Sequence, residues 1–226
     1  MPNATYYNLG KCGSNNPFIA HRIVEANKRF GFCKTDLVMV MYTTFNRECH
    51  YTNGSWTLPG NIYTQDIYNK DFVKKFADPE GYLIRDMATI ELASSYLNNL
   101  PCHYIGMLST PIDFDIESES HIAKEAKVLY NDLLTSFPEN MFDLEMNGEW
   151  TTDLIYQPIW ANKKQADYHP TPIRYCNYLR KIGIPITESA IDYATKSTTL
   201  VYTLEHGKQF TKHFPELHLH PDKNMW

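Results

Sequence analysis

Apolar residues return every three or four positions from Phe18 through Ile19, Ile23 and Ala26 to Phe30, between Asn16 as an N-cap, Pro17 at the first helical position and Gly31 as a stop. This pattern predicts a helix over 17–30. Asp36 then introduces Leu37-Val38-Met39-Val40-Met41-Tyr42, apolar on both faces in the manner of a central parallel strand. With residues 4–9 read as the end of a strand and 10–16 as a small polar loop, the result is a strand-loop-helix-strand unit, the mark of an α/β layer fold.

Residues 46–81 break the rhythm. Asn53-Gly54, Pro59-Gly60 and Asp78-Pro79 are turn signals, with Tyr and Trp interleaved. A stretch of this length inside a compact domain reads as an inserted excursion, either a lid or binding loop or a segment with short elements of its own. Its aromatic residues suit either packing or a sugar-stacking surface.

Helical periodicity resumes over 79–98, with Leu83, Met87, Ile90 and Leu97 inward, and over 119–136, with Ile122, Ala126, Leu129 and Leu133 inward. A strand over 102–108 separates them. Beyond Pro138 the period weakens, and one more strand is expected near 142–146. Thr171 and Pro172 start a helix with Ile173, Cys176, Leu179 and Ile182 inward and Gly183 at its end, and 187–206 forms another that stops at Gly207. The expected organisation is an α/β domain over 1–185 with 46–81 inserted, followed by a helical extension and tail over 186–226.

Composition narrows the partners. At 226 residues the chain has length for a real core, and 21 Lys+Arg against 26 Asp+Glu leave a formal charge of −5, so no net positive field awaits a phosphate backbone and nucleic acid is not an expected partner. The longest apolar run, Leu37–Tyr42, falls far short of the roughly 20 residues of a membrane helix, and no membrane association is expected. The first residues lack the basic and apolar segments of a signal peptide, so a cytoplasmic location is expected rather than a secretory route. Five scattered cysteines (Cys12, Cys33, Cys49, Cys102, Cys176) form no C-x-x-C pair and read as reduced thiols. His213, His218 and His220 include an H-x-H pair, but neither a cysteine nor a well-spaced acid accompanies them and no metal site is assigned.

Candidate chemistry concentrates in two places. Asp167-Tyr168-His169-Pro170-Thr171-Pro172 sets a carboxylate two residues from an imidazole at the start of a helix, where an acid can fix the histidine tautomer and stabilise the imidazolium. The alternative is a loop with a solvated histidine. Ser14 lies between a strand end and a helix start, where backbone N–H groups and the positive end of the helix dipole steady an oxyanion. It is either a nucleophile or a residue that shapes the turn before Asn16. Arg47, at a strand exit, either holds an anion or pairs with an acid such as Glu48.

These blocks carry a resemblance. Residues 167–171, followed by the helix through Tyr178-Leu179, resemble the C-terminal acid and histidine block of the SGNH (GDSL-type) hydrolases, in the shorter-spaced form found in proteins of marine phages. Residues 8–15, Asn-Leu-Gly-Lys-Cys-Gly-Ser-Asn, resemble the family's second block, whose glycine lends an N–H to the oxyanion hole. Residues 36–48 are similar to the strand and exit turn of its third block. The family's G-x-N-D asparagine is replaced by Thr43-Thr44-Phe45-Asn46-Arg47, and no serine block precedes residue 5. In the family's flavodoxin-like sheet the strand of that missing block is central, so the gap calls for a longer N-terminus, a strand inserted from elsewhere, or the Ser14 unit itself as the central strand.

The resemblance implies a three-layer flavodoxin-like parallel sheet and hydrolysis of an ester, with an O-acetyl group on a carbohydrate as one candidate, through an acyl-enzyme. In that scheme His169 is the general base, Asp167 its orienting partner and Ser14 the nucleophile. Gly13, Asn15, Asn46 and Arg47 serve the oxyanion or bind an anion, and no cofactor is required. The rival expectation is a non-catalytic structural or binding protein of a phage particle on the same scaffold, with a second copy or a virion component as its partner.

Overall fold

The computed structural model describes residues 7–11, 13–63, 68–114, 116, 120–148 and 170–203, with side chains as far as 198. They fall into two compact units, one holding residues 9–140 and the other residues 7–8 together with the described residues from 141 to 203.

In the first unit, α1 (Asn16–Phe30) begins one residue earlier than its periodicity suggests. Asn15 is the cap: its side-chain oxygen accepts from the Phe18 N–H, and Gly31 closes the helix in the left-handed region at φ 67°. Phe18, Ile23 and Ala26 are buried, whereas Phe30 at the end of the stripe is exposed. The expected strand at 4–9 is not seen in residues 7–9, which are irregular, and 4–6 lie outside the described residues. β1 (Leu37–Tyr42) follows as expected.

The inserted excursion carries its own elements. β2 (Arg47–Thr52) and β3 (Ser55–Asn61) pair antiparallel, with an irregularity between Glu48 and His50. Asn53 and Gly54 join them at φ 51° and 82°, the conformation of a tight primed hairpin turn. After α2 (Lys70–Phe76) comes α3 (Pro79–Asn98), capped by Asp78 with proline in its first turn. β4 (His103–Leu108) then runs parallel to β1, from Leu37↔His103 to Tyr42↔Leu108. The helix expected over 119–136 is two, α4 (His121–Leu129) and α5 (Asn131–Ser136), which meet at Tyr130. That break leaves Leu129 exposed rather than inward.

One continuous core joins these elements. Val40, Tyr42 and Leu108 of the sheet meet Ile23 of α1, Leu83, Met87, Ile90 and Leu97 of α3, Ala123 and Ala126 of α4 and Leu133 of α5. Gly106 lets the layers close. A Cβ there would lie 2.4 Å from both a Phe137 ring carbon and the Tyr104 hydroxyl, so the bare backbone makes room for the Phe137 ring that stacks on Tyr42. The other face of β1 is less covered: Leu37 and Met39, expected to be buried, are exposed. The architecture among the described residues is α/β, with a two-stranded parallel sheet and several helices.

In the second unit, the strand expected near 142–146 is a helix, α6 (Met141–Met146). Its buried positions, Met141, Phe142, Glu145 and Met146, fall in the i, i+1, i+4, i+5 order of a helix face rather than in the alternation of a strand. α7 (Pro172–Lys181) starts at Thr171 and Pro172 as expected, and α8 (Glu188–Thr203) packs against it. The expected stop at Gly207 and the tail lie outside the described residues. Glu145, almost fully buried, gathers the side chains of α7: Arg174 at 3.2 Å, Asn177 at 3.3 Å and Lys181 at 2.7 Å. No helix among the described residues is long and apolar enough to cross a membrane.

Candidate functional site

Five of the seven residues singled out in the sequence come together where α1 begins and β1 ends. Gly13 stands at φ +78°, and a Cβ on it would lie 2.2 Å from the Leu58 carbonyl oxygen of β3, so this turn is closed to any side chain. Gly60, also left-handed, faces it: a Cβ there would be 3.9 Å from Gly13 Cα and 3.9 Å from Arg47 Nη1. The glycine turn, the hairpin and the Arg47 guanidinium are thereby packed into one corner.

Ser14 is buried, and its hydroxyl donates to the Lys11 carbonyl at 2.5 Å. The Asn15 carboxamide is occupied in capping α1, and its nitrogen reaches the Arg47 carbonyl at 3.5 Å. Arg47 Nε donates to the Thr44 hydroxyl at 3.0 Å. Asn46 is buried, its main-chain carbonyl accepts from Ile62, and its side-chain oxygen has no hydrogen-bond partner among the described residues. A buried amide atom left so is costly unless a ligand or water completes it. His169 and Asp167 lie outside the described residues.

Beneath the turn runs a polar network. The Asn16 side chain pairs with the backbone of Thr43 in both directions, accepting from its N–H at 2.9 Å and donating to its carbonyl at 3.1 Å. It thus acts as a one-residue extension of the sheet and fixes the start of α1 to the exit of β1. The same amide nitrogen donates to Asp86 Oδ2 at 2.8 Å, and Arg85 Nε donates to Asp86 Oδ1 at 2.7 Å. Arg85 continues to the Glu48 carboxylate at 3.0 Å and the Arg47 carbonyl at 2.9 Å, with its guanidinium over the Tyr82 ring.

Burial dominates the electrostatics of Asp86. With no exposed surface, its carboxyl is pushed up to about 6, although Arg85 and Asn16 both favour the charged form. Tyr82 is raised by burial and by the Glu48 carboxylate beside it. Cys49 is likewise raised, chiefly by burial, so the thiol next to Asn15 is not an activated nucleophile. The corner therefore offers a glycine turn at a helix start, a guanidinium and a buried amide, over a carboxyl that changes charge near neutrality.

Asp86 and Arg85 were not among the residues that motif spacing singles out, and Glu48, weighed there as a partner for Arg47, is engaged by Arg85. The signal was nonetheless present: Asp86 falls on the inward stripe with Leu83, Met87 and Ile90, and an acid on the apolar face of a helix requires partners. In comparisons with known proteins, the chain matches no family model, no curated protein and no solved structure.

Proposed function

We propose that this protein is a divergent ester hydrolase of SGNH type, whose oxyanion corner is formed by Gly13, Asn46 and Arg47. The observation that carries the reading is the convergence of the glycine turn with the exit of β1, residues far apart in the chain and drawn together by Gly60 and Asn16. In this reading β1 and β4 are two strands of a larger three-layer flavodoxin-like sheet. Ser14 Oγ attacks the acyl carbon, His169 takes its proton, Asp167 orients His169, and the tetrahedral oxyanion rests on the Gly13 N–H and the Asn46 or Arg47 side chain. The hydroxyl must first leave the Lys11 carbonyl, a rotation about one bond. The tetrahedral intermediate then collapses with cleavage of the ester C–O bond, His169 giving its proton to the departing alcohol; water attacks the acyl-enzyme with His169 taking its proton, and release of the acid returns that proton to Ser14 Oγ.

A second reading is favoured by that same Ser14 bond: a non-catalytic binding or structural protein in which Ser14 and Asn15 only build the turn. Hydrolysis of p-nitrophenyl acetate separates the two. The hydrolase reading expects turnover that falls at least about 100-fold in both Ser14→Ala and His169→Ala, in line with the loss of a nucleophile or its base. Activity that survives both substitutions, or a folded wild-type chain without turnover of this or an O-acetylated sugar, leaves the binding reading.

A further inference from the structure

Away from the glycine turn, an open cleft of about 370 Å³ lies beside α2, within the size range of small-ligand sites. Ile62, Val73 and Ala77 form its apolar base, and Tyr63 and Tyr68 stand at its walls. Tyr68 is held in place on two sides: its hydroxyl lies 3.1 Å from His50 Nδ1, and its ring stacks on Phe72 with centroids 5.4 Å apart. A wall fixed in this way presents a flat apolar surface at little further entropic cost on binding.

The rim is cationic. Lys70 and Lys74 both line the cleft and lie one turn apart on the same face of α2, while Asp71 is a step around the helix. Among the described residues no carboxylate pairs with either ammonium. Glu48, the acid that acts electrostatically on Tyr68, is engaged by Arg85. Two unneutralised ammonium groups over an apolar base flanked by phenol rings select a particular kind of guest: an anionic head for the lysines and a planar body for the base and rings.

We propose that this cleft is a binding site for a small anion bearing an aromatic ring, an aryl phosphate or aryl carboxylate. The anionic group lies between Lys70 and Lys74 and the ring rests against Tyr68 over Ile62 and Val73. The site does not depend on ester hydrolysis at Ser14, since none of its lining belongs to the glycine turn.

The test is calorimetric titration of the full chain with phenyl phosphate, inorganic phosphate and phenol in separate arms. Saturable one-to-one binding of phenyl phosphate is expected, at least ten times tighter than either fragment. The K70Q/K74Q double variant, altered only at exposed positions, is expected to bind at least ten times more weakly. K28Q/K34Q, which removes the same charge at exposed positions outside the cleft lining, is expected to leave affinity unchanged. Absence of saturable binding overturns the proposal. So does equal weakening by the two double variants, which would reflect net charge alone, or inorganic phosphate binding as tightly as phenyl phosphate, which would remove the role of the rings.

Discussion

Asp86 shows how one residue can set a pH dependence for the fold around it. The folded protein holds the carboxyl at about 6, against about 4 for an unburied aspartate, so between those values the folded chain binds more protons than the unfolded one. The associated stability is present in full below about 4 and is lost as pH rises through about 6, on the order of 3 kcal/mol when complete. Asp86→Asn cannot ionise and lacks this slope. Urea unfolding followed at pH 4.5 and 7.5 is expected to show the variant gaining on the wild type as pH rises; parallel profiles would mean that Asp86 does not titrate in this range. Asn16 and Arg85 are the groups through which the change reaches the glycine turn, because each holds one Asp86 oxygen.

Elements in this chain are positioned as much by missing side chains as by present ones. α3 was legible from its apolar stripe, and Leu83, Met87, Ile90 and Leu97 are all fully buried. β4 was legible as a strand, but the need for glycine at position 106 was not, since it arises chiefly from the Phe137 ring, which reaches that point from 31 positions further along the chain. Gly106→Ala pushes a methyl group into the Phe137 ring and the Tyr104 hydroxyl and is expected to cost about 1–3 kcal/mol, read as a lower thermal midpoint with unchanged secondary structure by circular dichroism. Local pattern misplaced two elements. The 119–136 helix breaks at Tyr130, and 142–146 coils into α6, because a run of five or six apolar and acidic residues fits either period until its neighbours choose a face.

For the whole molecule, closure of the core is the controlling fact. Among the described residues every member of the principal apolar cluster lies between Ile23 and Phe137, within the span of the first unit. Residues 9–140 expressed alone are therefore expected to retain helical circular dichroism and a cooperative melt. A non-cooperative melt would show that the remaining chain is needed to complete the unit.

Sequence periodicity and punctuation determined the α/β character and the extents of α1, β1, α3 and β4 to within a residue or two. These are short-range properties, decided by spacings of two to four residues and by the backbone freedom of Gly, Asn and Pro. Tertiary structure alone decided that Gly13, Ser14 and Asn15 share a corner with Asn46, Arg47 and Gly60, and that Asp86 lies beneath them. It also decided that Lys70 and Lys74 overlook a cleft between tyrosines. The contacts at the corner join residues separated by tens of positions, and their geometry follows from how helices and sheet close over a common core, which no local spacing encodes.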